Sequence, residues 1–351
     1  MSESSALKIQ GIASTYSYTI GDINTMLSEY LTEDMNLVIV VDENTDNHCL
    51  PKLDIPFSHL VIELPQGPEH KSLASCQYIW QQLAGQKYGR DSLFINVGGG
   101  QITDLGGFAA SVYKRGCPFI HVPTTLLGAV DATIGGKTGM DFASIKNGIG
   151  VFADPKAVCF DPSFLETLQP DQVRDGKVEM LKHGLIRSVQ HTQDVLSNPV
   201  TKPPSGEIVL DSVQIKHHFV QNDMLDNGKR RCLNFGHTFG HAIESFFLAE
   251  NNPISHGCAI AWGIQLELAY SKLHYKQAIA GTEDAVDFLR SAFPPIPHFA
   301  FEELMHHMRD DKKNRAQKIL GVVLRGIADP HFDIEYEVGP IKKIWEDVQR
   351  P

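Results

Sequence analysis

Short apolar runs alternate with stretches of helical period through the first half of the chain. Residues 36–41 (NLVIVV), 60–64 (LVIEL), 93–97 (LFINV) and 120–122 (IHV) read as β-strands, with 157–161 as the last. Helical patterns fall between them at 20–30, 72–83 and 102–113. Strands and helices in alternation predict a parallel sheet covered on both faces. Beyond Pro162 the pattern changes. Residues 171–187, 205–225, 231–249 and 257–274 carry helical periodicity, Pro294, Pro295 and Pro297 mark a connection, and 319–324 is expected to pair with 332–336 as short strands. The prediction is an α/β N-terminal domain over residues 1–161 and an all-α C-terminal domain over 162–351. The first dozen residues are small and polar, and only partial order is expected there.

Candidate chemistry concentrates between Asp91 and Phe152. The run at 93–97 ends at Gly98-Gly99-Gly100 and a helix follows, so strand, glycine turn and helix N-terminus come in succession. Such a turn lets backbone N–H groups approach a phosphate, assisted by the helix dipole. The spacing is not the dinucleotide fingerprint, because Thr103 stands where its last glycine belongs, and no Lys-Ser/Thr closes a P-loop. A glycine turn used only for close packing is the alternative reading. A second strand ends at Pro123-Thr124-Thr125, Asp131 precedes Gly135-Gly136-Lys137-Thr138, and Lys146-Asn147 follows. Ligands bind at the carboxyl ends of strands in open α/β sheets, and Arg115, Lys137 and Lys146 suit phosphate or carboxylate groups.

The second half carries a metal-like pattern. His237 and His241 lie four residues apart on one helical face, but Thr238 replaces the glutamate of a zinc-protease motif. A histidine pair on a helix is most often structural. Here His256 adds a third imidazole, and Glu179 with Lys182 adds a carboxylate and an amine one turn apart. Two histidines and a glutamate form an established zinc ligand set. Spacing alone does not choose among His183, His217, His218, His237, His241 and His256, and Glu179 with Lys182 also reads as a helix ion pair.

Composition narrows the class. The chain has 351 residues, 42% apolar and 21% charged, which fits a globular protein of two domains. A formal net charge of −11 argues against nucleic acid as a partner while leaving room for local basic pockets. Six dispersed cysteines without a CxxC pair, and no signal-peptide pattern, lead us to expect reduced thiols and a cytoplasmic setting. No run has the length of a membrane span.

Taken together, GGGQITDLGGF (98–108), Tyr113-Lys114-Arg115-Gly116, PTTLLGAVDATIGGKTG (123–139), Lys146-Asn147, VEMLKHGLI (178–186) and LNFGHTFGHAIE (233–244) resemble the sugar phosphate cyclase superfamily, most of all its 3-dehydroquinate synthase family. The resemblance runs from about residue 42 to about residue 326. It implies an N-terminal nucleotide-binding domain, a helical C-terminal domain and an active site between them. Glu179, His237 and His256 match the metal-ligand positions, with zinc expected first and cobalt second. Asp42, Asn44, Lys71, Gly99, Gly100, Asp104, Thr124, Thr125, Lys146 and Thr167 match the NAD-contacting positions. Arg115, Asp131, Lys137, Asn147, Lys182, Lys216, Arg230, Asn234, His241 and Lys312 match catalytic and substrate-holding positions, with Arg115 reaching across a homodimer interface in relatives. The sequence departs from the usual pattern in three places: Pro68 within Gly67-Pro68-Glu69-His70-Lys71, Val178 before Glu179, and Met224 after Asp223.

The implied reaction is the shikimate-pathway conversion of 3-deoxy-arabino-heptulosonate 7-phosphate to 3-dehydroquinate and phosphate, with NAD reduced and reoxidised inside one turnover. A cyclase acting on sedoheptulose 7-phosphate is the nearest alternative. The retained set of Arg230, Asn234 and Lys312 is the discriminator, since a substrate lacking a carboxylate would not need Arg230. A metal-dependent polyol dehydrogenase would release reduced cofactor, and a non-catalytic descendant would not need the metal ligands.

Overall fold

The computed structural model describes residues 5–143, 145–309 and 318–348. Its chain forms two compact units, Met1–Gln169 and Pro170–Pro351. In the first, the strands in chain order are β1 (Ser5–Gln10), β2 (Thr15–Ile20), β3 (Leu37–Asp42), β4 (His59–Leu64), β5 (Leu93–Gly98), β6 (Phe119–Pro123), a separate antiparallel pair β7 (Lys137–Phe142) and β8 (Ile145–Phe152), and β9 (Ala157–Phe160). Seven of them hydrogen-bond in the order β1-β2-β9-β6-β5-β3-β4. All pairings are parallel except β1 with β2.

The sequence explains the layers. β3 (LVIVVD) and β5 (LFINVG) are buried almost throughout, as central strands of a two-faced parallel sheet must be. Their side chains alternate between two cores. Val38, Val40 and Phe94 pack with Ile79, Leu83, Leu105 and Phe108, whereas Leu37, Ile39, Val41, Leu93, Ile95 and Val97 pack with Ile23, Met26 and Leu27. The helices supplying these layers are α1 (Ile23–Ser28), α2 (Glu43–His48), α3 (Leu73–Gly85) and α4 (Gly100–Val112). Pairing of Val40 with Asn96 and of Gly98 with Pro123 brings the carboxyl ends of β3, β5 and β6 to the same edge.

Residues 5–20 differ from the expectation of a loosely ordered start followed by a helix from residue 20. They form the β1–β2 hairpin, and the helix is confined to Ile23–Ser28. TYSYTI alternates, and its inward set of Tyr16, Tyr18 and Ile20 is buried on the sheet. Tyr18 is paired inside the fold, its hydroxyl donating to the Ala129 carbonyl at 3.0 Å.

The second unit holds α5 (Pro170–Arg187), α6 (Val189–Ser197), α7 (Gly206–Gln221), α8 (His237–Ala249), α9 (His256–Tyr275), α10 (Glu283–Ala292), α11 (Phe301–Arg309) and α12 (Val338–Val348). One antiparallel hairpin, β10 (Leu320–Gly326) with β11 (Asp329–Glu335), accompanies them. α9 is buried nearly all round, which suits the central helix of a bundle. The helix expected from 231 to 249 is broken. A 3-10 turn spans Lys229–Asn234, and Gly236 adopts a left-handed φ of 84° before α8 begins. No helix among the described residues is long and apolar enough to cross a membrane.

Candidate active site

In the first unit the candidate binding atoms are largely backbone. Gly99 is the N-cap of α4 and supplies no side-chain cap, so the N-cap residue leaves the first N–H groups of that helix to other acceptors. A Cβ on Gly99 would lie 3.0 Å from Thr125 Cγ2, which leaves little room for anything but glycine beside that threonine. Thr124 follows β6 and its N–H donates to the Gly98 carbonyl, tying the two strand ends together. At the end of β3, Asp42 closes a capping box with Thr45 at the start of α2, and Asn44 is exposed on the first turn of that helix. Thr124 is buried, the Thr167 hydroxyl donates to the Phe164 carbonyl at 2.8 Å, and burial pushes the pKa of the Cys49 thiol up to about 11.

Lys71 joins three segments of this unit. Its Nζ donates to Asp104 Oδ2 of α4 and to Asn147 Oδ1 of β8, each at 2.5 Å, while its carbonyl accepts from Asp141 N. Asn147 has a left-handed φ of 49°, and its N–H donates to Asp141 Oδ1 at 2.6 Å. Lys137, Lys146 and Arg115 are exposed, and Asp131 is half-buried in a single π-helical turn. Lys114 and Arg115 both have positive φ, an uncommon pair of left-handed non-glycine residues.

In the second unit the site is made of side chains. Glu179 lies on α5 with no solvent exposure, and its Oε1 is 3.6 Å from both His237 Nε2 and His256 Nε2. Its Oε2 pairs with the buried Lys182 ammonium one turn on. The donor atoms of Glu179, His237 and His256 all fall within 4.8 Å of one another, a cluster suited to a metal ion. His237 Nδ1 is 3.1 Å from the Phe235 carbonyl, an acceptor only, so that nitrogen carries the proton and Nε2 keeps its lone pair toward Glu179. His256 Nδ1 faces Glu244 Oε2 at 3.6 Å. Burial lowers the pKa of His256, yet hydrogen bonding and charge from Glu179 and Glu244 outweigh it and raise it to about 10. A place that holds a proton this firmly between two carboxylates favours a cation.

The same unit carries further cations. Lys216 on α7 and Arg230 in the 3-10 turn are buried, while Asn234 and His241 are half-buried. The ring of His241 is centred 5.0 Å from that of His237 and 6.1 Å from that of His256. Asp223 organises the loop that presents Arg230 by accepting from the N–H groups of Asn227 (2.9 Å), Gly228 (2.6 Å) and Arg230 (3.1 Å). Burial raises the Asp223 pKa, but these bonds and the Arg230 charge hold it below the usual carboxylate range. The guanidinium of Arg230 donates to the carbonyl of Met224 at 2.7 Å. Replacing an acidic side chain by Met224 leaves this backbone contact intact.

Of the six candidate histidines, His237, His241 and His256 gather here, and His183, buried on α5, also brings a ring nitrogen within 4.8 Å of a Glu179 oxygen. His183 is hydrogen-bonded through Nδ1 to Ser212 at 2.8 Å, and His217 and His218 lie along α7, where burial lowers both pKa values. Lys312 lies outside the described residues. Glu244 was not among the expected site residues. Its signal was the spacing 237, 241, 244, which puts it on one face of α8 with the two histidines.

Comparison with known proteins settles the relationship. Residues 61–175 match the family model for the 3-dehydroquinate synthase N-terminal region, and residues 176–314 the model for its C-terminal region. The 3-dehydroquinate synthase of Parabacteroides distasonis is 36% identical over 321 residues, covering 88% of this chain and 90% of that protein. The chain belongs to the 3-dehydroquinate synthase family. Two solved structures share its fold at lower identity. A 2-deoxy-scyllo-inosose synthase complexed with carbaglucose-6-phosphate, NAD+ and Co2+ has a TM-score of 0.85 at 22% identity, covering 98% of this chain and 100% of that one. The 2-epi-5-epi-valiolone synthase of Streptomyces hygroscopicus subsp. jinggangensis 5008, with NAD+ and Zn2+ bound, has a TM-score of 0.80 at 24% identity, with 98% of each chain covered.

Among the described residues of this 3-dehydroquinate synthase family member, the cysteines have no part in the cluster. Cys49, Cys76, Cys117, Cys159, Cys232 and Cys258 are all free and buried. Burial raises Cys76, Cys159 and Cys258 to about 12 and Cys232 to about 11, so none supplies a thiolate at neutral pH.

Proposed function

We propose that this protein is a 3-dehydroquinate synthase, an NAD- and metal-dependent carbon–oxygen lyase that converts 3-deoxy-arabino-heptulosonate 7-phosphate to 3-dehydroquinate and phosphate. The observation that carries the reading is the convergence of buried Glu179 with half-buried His237 and His256 in a chain of this family. The donor set, one carboxylate and two imidazoles whose ligand atoms lie within 4.8 Å of one another, fits a divalent metal. The uncapped start of α4 at Gly99 and Gly100 fits the pyrophosphate of NAD, with Asp42, Asn44, Lys71, Asp104, Thr124, Thr125, Lys146 and Thr167 as its other contacts.

When bound, NAD accepts and returns a hydride and the metal lowers the pKa of a substrate hydroxyl. The chain's own residues do the rest. Phe235 keeps the His237 proton on Nδ1, so Nε2 is available as a ligand without a proton to displace. Glu244 does the corresponding work for His256 from its Nδ1 side. Lys182 balances the buried Glu179 charge. Arg230, steadied by Asp223 and Met224, and Lys216 hold the substrate carboxylate, with Asn234 and His241 on its hydroxyls. Arg115, Lys137, Asn147 and Lys312 hold the phosphate, and Asp131 accepts from a hydroxyl of the substrate. Holding both ends of a flexible substrate gives the elimination and the later ring closure their effective concentration.

Assembly and setting follow from the same reading. We infer a homodimer whose second copy covers β7 and β8, where Phe142, Ile145 and Phe152 are 47%, 48% and 41% exposed, and in which Arg115 serves the partner. Sedimentation velocity tests this, since a monomer at micromolar concentration would refute it. Six free thiols suit a cytoplasmic setting.

The test of substrate is competition. Purified, metal-loaded protein with catalytic NAD is given 3-deoxy-arabino-heptulosonate 7-phosphate or sedoheptulose 7-phosphate, and phosphate release is followed. Turnover of the first, with its preference abolished in Arg230→Met, is expected. Preference for the second would move the substrate to one without a carboxylate.

A further inference from the structure

Helices α8 and α9 carry His237 and His256 as their first residues, so the metal cluster is set by where two helix N-termini lie. Gly236 caps α8 but has no side chain to satisfy its N–H groups. That work is done from the neighbouring helix. Glu267, eleven residues beyond His256 on α9, has no solvent exposure. Its Oε2 accepts from Gly236 N at 2.7 Å and its Oε1 from Thr238 N at 3.0 Å. These two donors flank His237 in the chain.

The backbone here is pressed onto α9. A Cβ on Gly263 would stand 1.8 Å from the Gly236 carbonyl oxygen, and one on Gly236 would stand 2.6 Å from Ile264 Cγ1. The His237 ring is in turn fixed to the same segment, through Nδ1 and the Phe235 carbonyl. Any movement of residues 235–238 therefore moves Nε2. Burying a carboxylate costs several kcal/mol unless charge-assisted bonds offset it, here two N–H groups at the positive end of a helix. An apolar residue would fill the space without that cost but would leave both donors unbonded. The carboxylate therefore ties down the backbone on both sides of His237.

We propose that Glu267 is a positioning residue for the metal site, a clamp that holds the start of α8 so that His237 Nε2 meets Glu179 and His256. The proposal rests on the metal reading above. It extends that reading from the ligands and their direct partners to a residue whose target is the backbone on either side of a ligand.

The test uses the full chain and Co2+ alone. Co2+ is titrated by visible absorption into the wild type, Glu267→Gln and Thr282→Val. The last removes a buried hydroxyl bonded to the Ile279 carbonyl elsewhere in the same unit and serves as a control for plain destabilisation. Gln keeps the shape but offers one acceptor for two donors. Glu267→Gln is expected to bind Co2+ roughly ten- to hundredfold more weakly with a shifted absorption band, while Thr282→Val loses thermal stability and keeps wild-type affinity and spectrum. If Glu267→Gln is not recovered folded, Glu267→Asp is read in the same way. Wild-type Co2+ affinity and spectrum in the Glu267 variant would overturn the proposal. Failure of the wild type to bind Co2+ would instead overturn the metal reading beneath it.

Discussion

The two units build their candidate sites from opposite materials. In the first, the start of α4 offers backbone N–H groups, glycine supplies the room, and the charged residues nearby stand at or near the surface. In the second, Glu179, Lys182, Lys216 and Arg230 are charges taken out of water, with Glu179 and Lys182 paired to each other and Arg230 held by the Met224 carbonyl. A backbone site tolerates loss of single side chains because its donors belong to every residue. A buried side-chain site does not, since removing one partner leaves another charge uncompensated.

The largest effect is therefore expected in the second unit. Glu179→Gln should lose metal and phosphate release together, each by at least a hundredfold, as read by metal analysis after dialysis and by turnover. Full metal occupancy in this variant would contradict the ligand assignment.

Next comes a pH effect in the first unit. Burial lowers the His121 pKa from 6.5 to about 3. Between those values the unfolded chain binds the extra proton and the folded chain does not. The stabilising contribution is thus complete above about pH 6.5 and is lost as pH falls toward 3, at roughly 1.4 kcal/mol per unit. Urea unfolding at pH 7 and pH 5 should show a steeper loss for the wild type than for His121→Asn. Parallel losses would show that His121 titrates normally.

A smaller change is expected at the backbone site. Gly99→Val brings methyl groups against Thr125 and should weaken NAD binding about tenfold, equivalent to about 1.4 kcal/mol, with turnover at saturating NAD little altered. Unchanged affinity by calorimetry would remove the start of α4 from the cofactor site. The smallest effect belongs to the surface. Lys318→Ala breaks an exposed pair with Glu335 and should change stability by less than about 0.5 kcal/mol.

The same contrast explains what the sequence made legible. A strand, a glycine cluster and a helix are consecutive, so β5, Gly98 to Gly100 and α4 could be read from local pattern alone. The continuous apolar strands β3 and β5 announced a sheet buried on both faces. The metal cluster is another matter. Glu179, His237 and His256 come from three helices, and the spacing of residues does not say which helices touch, so choosing among six histidines needed the family resemblance. Glu267 was invisible for the same reason, since an i, i+3 or i+4 pattern says nothing about a carboxylate that caps a different helix. The hairpin β1–β2 was missed although TYSYTI alternates, because the polar residues around it masked a short period-two signal. The break at Gly236 was missed because helical period continues across it while φ does not.

The central claim is that oxidation and reduction close within one turnover while phosphate leaves. It is tested most directly by counting phosphate released by the zinc-loaded protein from 3-deoxy-arabino-heptulosonate 7-phosphate at substoichiometric NAD, with absorbance of the reduced cofactor recorded alongside. The account predicts many phosphates per NAD with no net reduced cofactor. Reduced cofactor accumulating one for one, without phosphate, would contradict it and make the protein a dehydrogenase.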